Sequence, residues 1–337
     1  MMRRAFLTLA LLLFATAAIA AGPYSLDRNG VLWSGTSQPE GLVLTATQDD
    51  ETLVRTVIPF ELGLAGTSDT QIQVAADDLT GKVTVVWQRN WTAELSEIML
   101  AVWHNGSWER IVHLTDDITT HARNPVIQLS EVSTSTPEPD GGSPVTISDS
   151  FLNVLWWEGT SQQHGGYALL RLTAEAGEHD ELLTQNLDRY TTIGLACDTP
   201  APPAALEHPL FAAQTARDRV SILFGSERNC LFQLAEIRFK LQTRATTDGI
   251  TAIAQRRRHM PIFGVRKFFP MTEDVSMEAA RIVLGTDFNP VIYRVVNGTT
   301  VEYITATDTG WSPRRTLTVK DGLTMDQAIP LVENLAR

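Results

Sequence analysis

Beyond residue 22 the chain alternates short apolar runs with tight polar breaks. Lys82 to Trp87, Glu97 to Trp103, Phe151 to Trp157 and Tyr167 to Leu172 are rich in Val, Ile, Leu and Trp, and Gly, Asn, Asp or Pro bound them. Arg219 to Phe224, Leu231 to Leu241, Arg281 to Leu284 and Val291 to Val296 read the same way. Branched and aromatic residues in short runs, closed by turn formers, predict many antiparallel strands. Only Met325 to Ala336 carries a competing helical pattern.

The runs repeat. A strand ending in a bulky apolar residue recurs as Val31-Leu32-Trp33, Val85-Val86-Trp87, Val154-Leu155-Trp156, Ile222-Leu223-Phe224 and Ile282-Val283-Leu284. Their starts are separated by 54, 69, 68 and 60 residues. A second strand follows each: Gly41 to Thr47, Glu97 to Trp103, Tyr167 to Leu172, Leu231 to Leu241 and Val291 to Val296. A third often ends in Leu-Thr, as at Leu114-Thr115, Leu183-Thr184 and Leu317-Thr318. Next comes an X-Pro-apolar opening at Asn124-Pro125-Val126, His208-Pro209-Leu210, Phe269-Pro270-Met271 and Ile329-Pro330-Leu331. Proline suits the first residue of a strand, where its missing N–H breaks no ladder bond.

Four strands per unit at this period predict an all-β chain, a β-propeller of five four-stranded blades. The first unit has little room for an opening strand, whereas Ile329 to Ala336 is an opening strand with no unit after it. The C-terminal strand is therefore expected to complete the first blade and close the ring, which argues for strand over helix there. Two segments stand outside the repeat: the Ser-, Thr- and Pro-rich stretch Glu131 to Pro144, expected as a mobile loop, and the Pro- and Ala-rich stretch Cys197 to Ala205.

Before the repeat, Met1-Met2-Arg3-Arg4 leads into an apolar run ending in Ala18-Ile19-Ala20. This is the layout of a secretory signal peptide over residues 1–21, cut after Ala20 or Ala21, with residues 22–337 as one propeller domain. Gly22 and Pro23 follow at once, which disfavours a membrane anchor. Arg3-Arg4 partly matches a twin-arginine signal, but general secretion fits the short n-region better. Two of the 27 basic residues and none of the 39 acidic ones lie in the leader, so a net charge of −12 becomes −14. An acidic chain repels phosphate backbones, which argues against nucleic acid as a partner. In a periplasmic or extracellular setting the two cysteines, Cys197 and Cys230, are expected to form a disulfide.

Trp87, Trp103, Gly106, Trp108, Trp156 and Trp311, with their turns, resemble the sialidase-like group of β-propellers over essentially the whole mature chain. The resemblance implies architecture. The group's Ser-x-Asp-x-Gly-x-x-Trp boxes are absent, Asp308-Thr309-Gly310-Trp311 being a fragment with the wrong spacing. Neither the arginine triad nor the tyrosine nucleophile of a sialidase has a counterpart, so catalysis does not carry over.

In a propeller the turns after the repeated apolar strand would meet at one mouth of the channel. Here they carry Ser34, Thr36, Gln88, Arg89, Asn90, Glu158, Ser226, Glu227, Arg228, Thr286 and Asp287. Glu158, Glu227 and Asp287 are the catalytic candidates, since two carboxylates flanking a glycosidic bond are the minimum for hydrolysis. The plainer reading is solvated turn residues. Arg89 is a ligand-binding candidate at the same rim. Trp91 and Trp108, read as turn residues, are candidates for stacking on a sugar. Trp33, Trp87, Trp103, Trp156 and Trp157 sit at strand ends and suit core packing. Arg256-Arg257-Arg258-His259, with Arg266 and Lys267, forms a basic cluster that fits either an acidic partner, lipid headgroups or a charged edge strand. The histidines show no metal spacing, and no nucleophile elbow or phosphate loop occurs, so neither metal nor cofactor is expected.

These features predict an exported, non-catalytic scaffold or binding protein of the bacterial envelope or extracellular space, with an envelope protein or a glycan as partner. The alternative is a carbohydrate-active hydrolase or a glycan-binding lectin with its site at the channel mouth.

Overall fold

The computed structural model describes residues 23–60, 67–92, 95–115, 121–136, 143–158, 164–173, 180–186, 212–216, 219–226, 231–248, 252–270, 281–284, 290–296, 300–307 and 310–318. Among these residues all regular structure is β, arranged as five antiparallel sheets of strands consecutive in sequence. The first holds β1 (Tyr24–Leu26), β2 (Leu32–Gln38), β3 (Gly41–Gln48) and β4 (Glu51–Pro59). The second holds β5 (Ser68–Asp77), β6 (Lys82–Asn90), β7 (Ser96–His104) and β8 (Ser107–His113). The third holds β9 (Ala122–Thr136), β10 (Val145–Glu158), β11 (His164–Leu172) and β12 (Glu181–Asn186). The fourth holds β13 (Ala212–Ala216), β14 (Arg219–Ser226), β15 (Leu231–Asp248) and β16 (Ala252–Pro270). The fifth holds β17 (Arg281–Leu284), β18 (Pro290–Val296), β19 (Thr300–Thr307) and β20 (Gly310–Trp311), with β21 (Arg315–Thr318) also on β19.

The central strands of the second sheet are covered on both faces. Val83, Val85, Trp87, Met99, Ala101 and Trp103 pack with Leu42, Leu44 and Ile58 of the first sheet. Their neighbours Val86, Ile98, Leu100 and Val102 pack with Leu152, Val154, Trp156 and Leu170 of the third. Successive side chains go to opposite faces, so each core receives every second residue. A strand buried on both sides has no polar face, which is why these runs read as continuous rather than alternating. Each fully buried Val or Leu contributes about 1.5–3 kcal/mol.

The opening strands of the five sheets contact one another in series: β1 with β5, β5 with β9, β9 with β13, and β13 with β17. Among the described residues β17 makes no contact of similar extent with β1. The C-terminal segment Ile329 to Ala336 lies outside the described residues. The reason for assigning it to the first sheet falls away, because Tyr24 to Leu26 already pairs there with Leu32 to Ser34.

Other expectations shift by a few residues. Val31-Leu32-Trp33 opens β2 rather than ending a strand, and Asp27 fixes that entry by accepting from the backbone N–H groups of Asn29 and Val31. Pro125 sits inside β9, where the register with β10 slips between Leu155 and Trp157. A bulge tolerates proline because its N–H is not needed by the ladder. Pro270 closes β16 instead of opening a new strand. Strand structure also reaches into the stretch expected as a loop: β9 runs to Thr136 and β10 starts at Val145.

Two hairpins outgrow their sheets. β14 pairs with β15 only from Leu231 to Arg238, so Phe239 to Asp248 pair with β16 alone. Likewise Val145 to Asp149 of β10 lie beyond the register of β11 and pair only with β9. Both ribbons leave at the sheet ends opposite the β10–β11 and β14–β15 turns, and β10 touches β16.

Candidate functional site

The end of β6 carries the first candidates. Arg89 lies opposite Asp69 of β5 and donates to both carboxylate oxygens, Nε to Oδ1 at 2.9 Å and Nη2 to Oδ2 at 3.1 Å. Its guanidinium also stands 5.7, 5.6 and 5.7 Å from the ring centroids of Phe60, Trp87 and Trp91. Arg89 is 2% exposed. A fork satisfied by one carboxylate and enclosed by three rings is a packing device, so Arg89 is not presented to a ligand. Gln88 and Asn90 turn to the other face. Gln88 Nε2 donates to Asn90 Oδ1, and Gln88 Oε1 accepts from the backbone N–H of Asn124, tying the second sheet to the third.

The two tryptophan candidates differ from expectation. Asn105 and Gly106 both have positive φ, 49° and 83°. That makes a two-residue hairpin turn, and the strand resumes at Ser107. Trp108 therefore belongs to β8 rather than to a turn. It packs edge-on against Trp103, with centroids 5.2 Å apart, and its Nε1 donates to Thr56 Oγ1 of the first sheet at 3.1 Å. Trp91 is half-buried just past β6, under the Arg89 guanidinium. Trp87 and Trp156 are buried, as their strand-end positions imply.

Glu158 ends β10, in register with Ala122 and His164. Glu227, Asp287, Cys197 and Cys230 lie outside the described residues. Arg256, Arg257 and Arg258 lie on β16, the outer strand of the fourth sheet. Among the described residues no group of three His, Cys, Asp or Glu side chains is placed to hold a metal ion.

A constellation without a sequence signature joins the two ribbons. His259 of β16 is fully buried, with Nδ1 2.7 Å from Asp149 Oδ2 and Nε2 2.8 Å from Thr134 Oγ1. The backbone N–H of His259 donates to the same Asp149 oxygen at 2.8 Å. Arg171 Nη1 lies 3.7 Å from Asp149 Oδ1. Burial works against the Asp149 charge, but the hydrogen bonds from His259 and the charges around it outweigh this and hold its carboxyl below the ordinary value. Arg258 is pushed down by burial and by the nearby Arg171, against the pull of Asp149.

Hydroxyl, imidazole and carboxylate here stand in the order that activates a nucleophile. Three features make the group a latch instead. The imidazole is closed to solvent, the carboxylate also caps the outward N–H of an edge strand, and the three residues come from different strands of two packed ribbons. Asp149 and His259 are 110 positions apart, Thr134 and His259 125, so no spacing could have revealed them. No known protein family and no curated protein matches this chain.

Proposed function

We propose that the chain is an exported, non-catalytic binding protein whose five sheets are the blades of a propeller. The observation that supports this best is the series of contacts through β1, β5, β9, β13 and β17, the order in which innermost blade strands surround an axis. The described polar groups at the β6 end fit the same reading, since Arg89, Asp69, Gln88 and Asn90 are engaged with one another and with the neighbouring sheet. Binding then falls to surfaces outside the packed rim.

Small-angle scattering of residues 22–337 tests the architecture: a closed ring gives a radius of gyration of about 20 Å. A clearly larger radius, with a profile of separately moving sheets, overturns it. A glycan panel and a glycosidase panel test the function. Turnover of any glycoside overturns the non-catalytic reading in favour of a hydrolase, whereas a sugar that raises the melting temperature without turnover makes the protein a glycan-binding lectin.

A further inference from the structure

The chain carries three Asn-Gly pairs, Asn29-Gly30, Asn105-Gly106 and Asn297-Gly298. Glycine after asparagine leaves the main-chain nitrogen sterically free to close on the side-chain amide carbon. Asn297-Gly298 lies outside the described residues. The other two pairs differ in how firmly the backbone is held. In the β1–β2 turn the Asn29 N–H donates to Asp27 Oδ1, the Asn29 carbonyl accepts from Gln48 Nε2, and the Gly30 N–H donates to the Asp27 carbonyl. In the β7–β8 turn, among the described residues, the Gly106 N–H has no hydrogen-bond partner. Asn105 and Gly106 are both exposed, and nothing lies within 4 Å of the place a Gly106 Cβ would take.

The neighbours of Asn105 add a proton at the right place. His104 Nδ1 lies 2.7 Å from Glu109 Oε1, and because a carboxylate only accepts, Nδ1 carries the hydrogen. Glu109 is held in turn by Lys82 at 2.8 Å. The same His104 Nδ1 is 3.3 Å from Asn105 Nδ2. A ring N–H therefore stands beside the nitrogen that has to leave when the Asn105 amide is displaced, which is where a general acid acts.

From this we infer that the β7–β8 turn is a self-modification site, at which Asn105 deamidates through a cyclic imide with His104 as the proton donor. The Gly106 nitrogen attacks Asn105 Cγ and gives up its proton to water. The new N–Cγ bond closes the ring as the Cγ–Nδ2 bond breaks, and Nδ2 leaves as ammonia with the proton from His104, which water replaces. Water then opens the ring at either carbonyl, leaving aspartate or isoaspartate. The sum consumes a water and releases an ammonia, with no other reactant. Isoaspartate lengthens the main chain by one carbon. A two-residue turn with positive φ at both positions does not fit that extra atom. The isomer therefore loosens the hairpin in which Trp108 packs on Trp103 and bonds Thr56 of the first sheet. This inference is independent of the binding-protein reading.

The test is incubation of residues 22–337 in mildly alkaline buffer at body temperature, followed by peptide mapping that resolves Asn, Asp and isoaspartate at each site. Asn105 should convert about fivefold or more faster than Asn29, whose turn must first break the Gly30 hydrogen bond. His104→Gln should slow Asn105 severalfold and leave Asn29 unchanged, a split that general loosening of the fold does not produce. Glu109→Gln, which releases the imidazole from its place, should slow Asn105 in the same direction. The isoaspartate fraction should melt below the Asn105→Asp variant, which has the new charge without the longer chain. An Asn105 that stays intact overturns the inference, as does conversion of Asn29 at an equal or greater rate. Wild-type rates at Asn105 in both variants overturn the role of His104. Equal melting of the isoaspartate fraction and Asn105→Asp overturns the effect on the hairpin.

Discussion

Lys82 Nζ lies 2.8 Å from Asp180 Oδ1, and the two side chains are 4% and 3% exposed. Lys82 opens β6 of the second sheet and Asp180 immediately precedes β12 of the third, so the pair ties two sheets together. The same Asp180 oxygen accepts from the backbone N–H of Thr173, and the Asp180 carbonyl accepts from Arg110. Glu109 also reaches Lys82 at 2.8 Å, from a more exposed position. Burial opposes the Lys82 charge, yet the hydrogen bonds to Asp180 and Glu109 prevail and raise its pKa.

Asp180→Leu should therefore lower stability by on the order of 3 kcal/mol, because it removes the buried partner of a buried ammonium, leaves it only the more exposed Glu109, and orphans the Thr173 N–H. Glu109→Gln should cost less than about 1 kcal/mol, as for exposed pairs. Urea midpoints of the three proteins check the order. The Lys82 contribution is present below its ordinary value of 10.5 and is lost as pH rises through the higher folded value. Similar urea midpoints for Asp180→Leu and Glu109→Gln would contradict the inter-sheet role.

Asp149 gives the opposite pH dependence. Its folded pKa is depressed, so the stability it lends is present above the ordinary value of 3.8 and is lost as pH falls through the folded one. Wild type should outlast Asp149→Asn near neutral pH, and the gap should close in the acid range below 3.8. Melting temperatures of both proteins from pH 6 downward read this directly. A gap that stays constant with pH would mean the Asp149 carboxylate plays no part in the latch.

The strands were visible in the sequence because burial on both faces leaves long apolar runs, as at Val83 to Trp87 and Ile98 to Trp103. Grouping by fours was visible because the repeat is regular there. Strand limits were less so. Pro125 marks a bulge rather than a start, and the ribbon ends of β9 and β10 are polar stretches held by cross-strand hydroxyl pairs such as Ser133 with Ser148 at 2.6 Å. The candidate site fared worst. Arg89 looks like a rim residue until Asp69, twenty positions away, is seen opposite it. His259 looks like the tail of an arginine run until Asp149 and Thr134 arrive from another sheet.

Gly166 supplies a packing test. It pairs with Trp156 across β10 and β11, and a Cβ at that position would enter the Trp156 indole. Trp156 is 2% exposed and belongs to the core shared by the second and third sheets, so it has little room to move. Gly166→Ala should cost about 1–3 kcal/mol despite the better strand propensity of alanine. Quenching of the buried tryptophan fluorescence signal should change with it. A neutral or stabilising Gly166→Ala would show that the indole can swing aside.

The last prediction separates a packed rim from a ligand site. If Arg89 serves packing, its energy lies in the coupling to Asp69, not in either residue alone. Arg89→Met leaves the Asp69 carboxylate, fully buried at 0% side-chain exposure, without its cation. Asp69→Leu leaves the guanidinium held only by the rings of Phe60, Trp87 and Trp91. Each single change should cost on the order of 3 kcal/mol, since a lone buried charge is worse than none. The double change removes both charges from a site already lined by apolar rings, and should be less harmful than the two single costs added together. A thermodynamic cycle from urea titrations measures that coupling. Additive costs would mean that Arg89 and Asp69 do not act as a pair, and would return Arg89 to candidacy as a residue kept for something it binds.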